Sequence, residues 1–336
     1  MILKSGDQAK QNAELLSVMN MKPNVNKTWT KPEEPKEAYF VDPDSIDVMV
    51  TFTKAEDNHK LISKFRTTVS SMLKFATVHI NLYILGDDAS IEIAHDILDE
   101  VADKHHYTMN PLNIDELVKK VHDTISELQS FFSYKPGAYY SDSLFFLSIV
   151  AHKVLPDLSR VIMLDCDLKF NSDIRELFHF FEVFFETNII GIAHDAQPVY
   201  RHNWHMYRNQ NKGTRVGDPP PDGLAGFNSG VMLLNLDKMR ESDVYNSLIN
   251  ADVIKQLTEK YMFKGHLGDQ DFYSLIALEH EDLFYVLPCS WNRQLCTWWR
   301  DHGYSDVFDL YFKCEEHINI YHGNCDSPIP KLDWES

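Results

Sequence analysis

Residues 159–170 read SRVIMLDCDLKF, and Asn171, Ser172 and Asp173 follow. A short apolar run, Val161 to Leu164, ends in two carboxylates two positions apart, with Cys166 between them. Runs of this kind mark a central parallel strand, buried on both faces. Asp165 and Asp167 are then either a metal site at the end of that strand or only its polar rim.

Working outward, the stretch 46–53 (IDVMVTFT) reads as a first strand. Leu61, Ile62, Phe65, Val69, Met72, Leu73 and Ala76 mark one face of a helix. Residues 78–85 (VHINLYIL) give a second strand closed by Gly86-Asp87-Asp88, and 91–101 another helix. A β–α–β–α start predicts an α/β fold, a mostly parallel central sheet flanked by helices. Its first turn has no G-x-G-x-x-G, so a dinucleotide fingerprint is absent. Downstream, 145–155 is an apolar helical segment stopped by Pro156-Asp157. Asp173 and Glu176 have capping-box spacing, predicting a helix through Phe184. Strands are expected at 188–193 and 231–236 (VMLLNL), separated by a long loop around 196–226 that prolines 219–221 and nearby glycines break up. Loops of that length are commonly functional. Residues 1–44 are polar, rich in lysine and proline, and read as a leader or stem. Residues 45–336 form the expected catalytic domain, whose end, 288–334, is rich in tryptophan, histidine and cysteine and shows no regular pattern.

Composition narrows the function. The chain has 336 residues, 44% hydrophobic and 24% charged, as in a soluble globular protein. A formal charge of −18 argues against nucleic acid. A phosphorylated substrate stays open, because a bound divalent cation inverts the local field. No run approaches the roughly 18 apolar residues of a membrane span, and the start, MILKSGDQAKQNAELL, lacks a signal-peptide core. Either the chain is cytosolic or it is a trimmed piece of a secreted or anchored protein. Cys289, Cys296, Cys314 and Cys325 crowd together. They suit two disulfides, with Cys289–Cys296 and Cys314–Cys325 one of three pairings, or else four buried thiols. A zinc site lacks its C-x2-C pair. The sequon Asn26-Lys27-Thr28 is consistent with a lumenal address.

Positions i and i+2 of a strand point the same way, so Asp165 and Asp167 can reach one cation. Sheets of this class bind ligands beyond the carboxyl ends of their strands. Oxygen ligands suit Mg²⁺ or Mn²⁺, and a cation so held engages a diphosphate. The bland alternative is solvation of a strand end. His322, in NIYHGNC, is a candidate third ligand that shifts the preference towards manganese, or a structural histidine at a turn. Asp269-Gln270-Asp271, before FYSLIAL, offers polar contacts to a ligand or simply a helix start.

Four stretches in order, VLPDLSRVIMLDCDLKF, FNSGVMLLNLDKMR, LGDQDFYS and IYHGN, resemble the retaining nucleotide-sugar glycosyltransferases of the glycogenin and lipopolysaccharide galactosyltransferase type. The resemblance runs from near residue 46 through the histidine motif. It implies a GT-A fold in which Asp165, Asp167 and His322 hold a Mn²⁺ that bridges the donor diphosphate, with Mg²⁺ a substitute. It implies further that Thr51, Phe52 and Thr53 receive the uracil and ribose. By the same resemblance Asn228, Ser229, Asp269 and Gln270 are expected around the donor sugar and acceptor, with Gln270 nearest the anomeric carbon, and Gly323 in the donor site. Within the family the likeness is to members that transfer xylose from UDP-xylose, through an alpha-1,3 link, to a xylosyl-glucose disaccharide on EGF-like repeats, Notch repeats among them. That implies the lumen of the endoplasmic reticulum or early secretory pathway, a single membrane anchor in the full-length protein, and no membrane contact by these residues themselves. A front-face reaction is the family's usual course, and no general base is assignable here.

Two departures stand out. The family's lysine in H-x-x-G-x-x-K-P-W is missing from HGNCDSPIPK, whose first lysine is Lys331. The diphosphate charge must be met by the metal, by backbone N–H groups or by a displaced basic residue. The usual YLDAD reads MLDCD, and Cys166 alternates away from the carboxylates into packing. The stretch 291–299 (WNRQLCTWW) suits stacking on a sugar or packing on a small repeat module, or is a disulfide-braced aromatic layer. Rival readings are a sibling transferase using UDP-glucose or UDP-galactose, and a lectin-like binder on a degenerate scaffold. A metal-dependent phosphohydrolase would draw on Asp195 for a further carboxylate.

Overall fold

The computed structural model describes residues 43–101, 107–135 and 142–335, so the sequon at Asn26 and nearly all of the polar leader lie outside the described residues. Strand β1 (Ser45–Thr51) leads through helix α1 (His59–Phe75) to β2 (His79–Gly86), and helix α2 (Asp88–Val101) precedes β3 (Tyr107–Asn113). Helix α3 (Ile114–Phe132) and helix α4 (Leu147–Val154) come before β4 (Arg160–Leu164) and the three-residue β5 (Leu168–Phe170). Strands β6 (Ile190–His194) and β7 (Phe227–Asn235) follow, then helix α5 (Asp269–Ile276) and β8 (Phe284–Leu287). The last strands are β9 (Arg293–Gln294) and β10 (Ile320–His322).

The main sheet has the order β3-β2-β1-β4-β7-β6-β8. Strand β7 runs antiparallel to both neighbours, and the other pairings are parallel. Alternation along β1 feeds two cores. Ile46, Val48 and Val50 pack with Phe65, Val69 and Met72 of α1 and Ala94, Ile97 and Leu98 of α2. Met49 faces the other way, towards Leu117, Ile125 and Leu128 of α3 and Ile149 and Val150 of α4. The sheet is therefore covered on both faces, as parallel strands require.

Because β7 is reversed, its first residues lie at the carboxyl end of β4. A register shift between Ile192 and Ala193 lets β7 keep pairing as far as Ala193–Asn228 and His194–Phe227. This is why the strand starts at Phe227 rather than at 231, and why Asn228 and Ser229 sit on a strand beside the aspartates.

Three other expectations need correction. The helix after Asp173 ends at Phe178 and tightens into a 3-10 turn over His179–Val183. The 196–226 stretch contains short helices at Val199–Asn203 and His205–Gln210, because Tyr200 and Trp204 are fully buried and anchor the segment. The carboxy-terminal stretch is regular where sequence showed no pattern: β9 and β10 join β5 in a second, three-stranded sheet. Two disulfides are present with a pairing other than the example given above, Cys289–Cys314 and Cys296–Cys325. Cys166 is free.

Candidate metal and donor site

Helix α1 holds the turn that carries the aspartates. The Thr68 hydroxyl donates to Cys166 O (2.9 Å) and accepts from Leu168 N (3.0 Å), while Ser71 Oγ accepts from Phe170 N (3.0 Å). These bonds satisfy backbone groups that leave the main sheet at Leu164 and would otherwise be buried unpaired. On the far side Asp165 N donates to Gly230 O (2.9 Å), and Gly323 N donates to Asp167 O (2.9 Å).

Strand β10 pairs antiparallel with β5, placing His322 opposite Leu168. Its Nε2 lies 3.2 Å from Asp167 Oδ1 and 3.6 Å from Asp165 Oδ2. One ligand atom from each of the three residues falls within 4.8 Å of the others. Gly230 makes the approach possible, since a Cβ there would stand 2.3 Å from His322 Cε1. His322 Nδ1 lies 2.9 Å from Asn292 Oδ1. The amide orientation follows from its other end. Asn228 Oδ1 accepts from Gly230 N (3.1 Å) and from Asn292 Nδ2 (2.9 Å), so the Asn292 oxygen must face the imidazole. Nδ1–H is thereby the donor, and a neutral ring points the Nε2 lone pair at two carboxylates. Three acceptors converging in this way need a cation between them, a proton on Nε2 or a divalent ion, and the donor set of two carboxylates and an imidazole fits Mn²⁺.

The electrostatics agree. Burial pushes the Asp167 carboxyl up, but the facing His322 and Lys64 charges and their hydrogen bonds outweigh it and hold it at about 2. The carboxyl of Asp165, on a side chain that is half exposed, is raised by desolvation at the packed site, His322 opposes that, and the neighbouring Asp167 charge adds to it. The imidazole is lowered by burial but raised overall by Asp167.

Residues expected on the sugar side converge on the same end of the sheet. Helix α5 starts after Gly268, whose φ of 70° suits a residue without Cβ. Asp269 is buried with both oxygens engaged, accepting from Ser229 Oγ (2.9 Å) and Ser148 Oγ (2.5 Å). Burial pushes it to about 7 despite those bonds. Gln270, partly exposed, spans the gap: its Oε1 accepts from Asn228 Nδ2 (3.4 Å) and its Nε2 donates to Tyr200 OH (3.3 Å). Asp271 accepts from Tyr200 OH (2.9 Å) and Leu267 N (2.7 Å), a structural duty at the helix start.

Thr51, Phe52 and Thr53 lie one strand over, at the end of β1. The Phe52 ring is in the core, stacked on Phe65 at 4.1 Å, so its backbone is what it can offer a nucleotide. Thr53 Oγ1 donates to Asp87 Oδ2 (2.7 Å), and Ser90 Oγ donates to the same oxygen (2.9 Å). Burial raises the Asp87 carboxyl, yet bonds from Lys54 N, Thr53 and Ser90 bring it down to about 2. Asp195 stands outside the aspartate–histidine set. It is buried, accepts from Gln197 N (2.8 Å) and is pushed by burial to about 7. Asn292, Lys64 and Asp87 contact these residues, and sequence assigned them no role. Asp87 was noted only as part of the Gly86-Asp87-Asp88 turn, and Asn292 only as part of the stretch 291–299.

This fold and site define a nucleotide-sugar transferase of the GT-A class. Residues 52–322 match the family described as Glycosyl transferase family 8, and the chain belongs to it. It is 48% identical over 303 residues to Xyloside xylosyltransferase 1 of Mus musculus, covering 88% of this chain and 77% of that protein. Xylosyl- and glucuronyltransferase LARGE1 of Homo sapiens is 29% identical over 255 residues, covering 70% of this chain and 32% of that protein. The crystal structure of the mouse xyloside xylosyltransferase in its apo form superposes with a TM-score of 0.82 at 49% identity, over 85% of this chain and all of that one. No helix among the described residues is long and apolar enough to cross a membrane.

Proposed function

We propose that this protein is a retaining transferase that moves xylose from UDP-xylose, through an alpha-1,3 link, onto a xylosyl-glucose disaccharide carried by EGF-like repeats such as those of Notch. The observation that carries the reading is the near-half identity with mouse xyloside xylosyltransferase 1 over most of both chains. Residues 45–336 are the catalytic unit. Asp165, Asp167 and His322 hold Mn²⁺, or Mg²⁺ in its place. The bound cation supplies stabilisation of the negative charge that develops on the leaving diphosphate.

The chain's own groups do the rest. The turn at Thr51–Thr53, ordered by Asp87, receives the nucleoside. Gly323 N, donated to Asp167 O, ties the histidine strand to the aspartate turn. Asn228, Ser229 and Gln270 face the sugar, and Gln270 is the polar side chain open to the anomeric side. Asp269 makes a poor nucleophile because both oxygens already accept hydroxyls and burial favours its protonated form. That posture supports a front-face transfer, with the departing phosphate oxygen taking the acceptor hydroxyl's proton. The two disulfides support a lumenal address in the endoplasmic reticulum or early secretory pathway.

Donor consumption measured across UDP-xylose, UDP-glucose and UDP-galactose, with a xylosyl-glucose acceptor, tests the reading. UDP-xylose turnover that stops with chelator is expected. Preference for UDP-glucose or UDP-galactose would make the protein a sibling transferase, and no turnover of any donor would favour a lectin-like binder.

A further inference from the structure

We infer that Lys64, on helix α1, is the basic group that binds the donor diphosphate, held in place by Asp326; the inference rests on the donor reading above. Its Nζ lies 3.3 Å from Asp167 Oδ2 and 2.7 Å from Asp326 Oδ1. One turn earlier, Lys60 Nζ reaches Asp326 Oδ2 at 2.9 Å. The two oxygens of Asp167 are thus divided, Oδ1 facing His322 and Oδ2 facing Lys64. A basic side chain therefore stands on the aspartate that a cation would share.

Charge accounts for why it is needed. Asp165 and Asp167 carry two negative charges, a divalent cation cancels them, and a nucleoside diphosphate then brings at least two more. As a cation draws on Asp167, the lysine's hold on that carboxylate weakens. An ammonium has three donors, and among the described residues the two carboxylates are its hydrogen-bond acceptors. The third N–H remains for a phosphate oxygen, a charge-assisted bond of the strong kind.

The loop that presents Asp326 is built to keep it there. Cys325 and Asp326 both adopt positive φ, 54° and 59°, a conformation that non-glycine residues take at a cost. Cys325 is bonded to Cys296, and Asn324 Oδ1 accepts from both Leu295 N and Cys296 N at 2.9 Å. The segment following His322 is therefore pinned, and its aspartate grips the lysine from the solvent side. The basic charge sits on α1 rather than beyond the histidine motif.

Calorimetric titration of UDP and of uridine into Mn²⁺-loaded protein tests this. Lys64→Ala is expected to weaken UDP roughly 10- to 100-fold and leave uridine unchanged, with Mn²⁺ affinity in the absence of nucleotide equal to or above wild type. Lys64→Arg should recover most of the UDP affinity. Unchanged UDP affinity in Lys64→Ala, or an equal loss for uridine, would overturn the assignment. Wild-type protein that takes no UDP at all would overturn the donor reading, and this inference with it.

Discussion

At the scale of the residue, the amide of Asn292 decides which nitrogen of His322 faces the aspartates. Its oxygen takes Nδ1–H, its NH₂ is committed to Asn228, and the imidazole cannot turn over without losing the bond to that oxygen. Partners of this kind raise ligand basicity, and their loss typically costs 10- to 100-fold in metal affinity. Asn292→Ala should therefore raise the Mn²⁺ dissociation constant roughly 10- to 100-fold by calorimetry, with the thermal midpoint lowered by a few degrees as buried partners lose their bonds. Unchanged affinity would show that the amide does not set the ring. The three residues that meet at the candidate metal site were legible in sequence, because two carboxylates closing an apolar run and a histidine ending another are visible locally. Asn292 was not, since an asparagine 30 residues before the histidine it orients looks like any loop amide. Lys64 was hidden for a related reason. It shares the α1 sequence with the apolar face that fills the core, and its partners are 103 and 262 residues away.

At the scale of the element, the second sheet does the assembling. Strands β5, β9 and β10 have three, two and three residues, too few to show any period, so neither hydrophobic alternation nor helix spacing could announce them. Disulfide Cys289–Cys314 closes a span of 25 residues around β9, and Cys296–Cys325 one of 29 residues around β10. Each bridge of that span contributes roughly 3 kcal/mol in the chain-entropy account. Intact mass should rise by two hydrogens per bridge on reduction. The paired replacement Cys296→Ser with Cys325→Ser should lower the thermal midpoint by roughly 5–10 °C and weaken Mn²⁺ binding, since it frees the segment beyond His322. A variant with wild-type midpoint and metal affinity would leave the bridge without a part in the site. Strand β3 was passed over in sequence for another reason. The edge strand carries Pro111 and no clean alternation of burial, a position that tolerates proline because its outer side needs no ladder.

At the scale of the whole molecule, the alternation of strands and helices from β1 to α2 sufficed to give the α/β class and the parallel half of the sheet. The reversal of β7 did not show, because a fully buried strand reads the same in either direction. Yet that reversal, with the shift at Ile192/Ala193, brings Asn228, Ser229 and Gly230 to the edge where Asp165 leaves β4 and Asp195 leaves β6. This end of the main sheet gathers carboxylates and amides, and β10 of the second sheet brings His322 up to them. The overall charge of −18 means that an anionic donor must be met by local positive charge, which the proposed cation site and the proposed role of Lys64 would supply. Pulsed electron paramagnetic resonance of Mn²⁺ bound to the protein with UDP tests that centre most directly. Nitrogen modulation from a single imidazole is expected, and its loss in His322→Ala. Mn²⁺ showing no nitrogen coupling, or a coupling that survives His322→Ala, would contradict it.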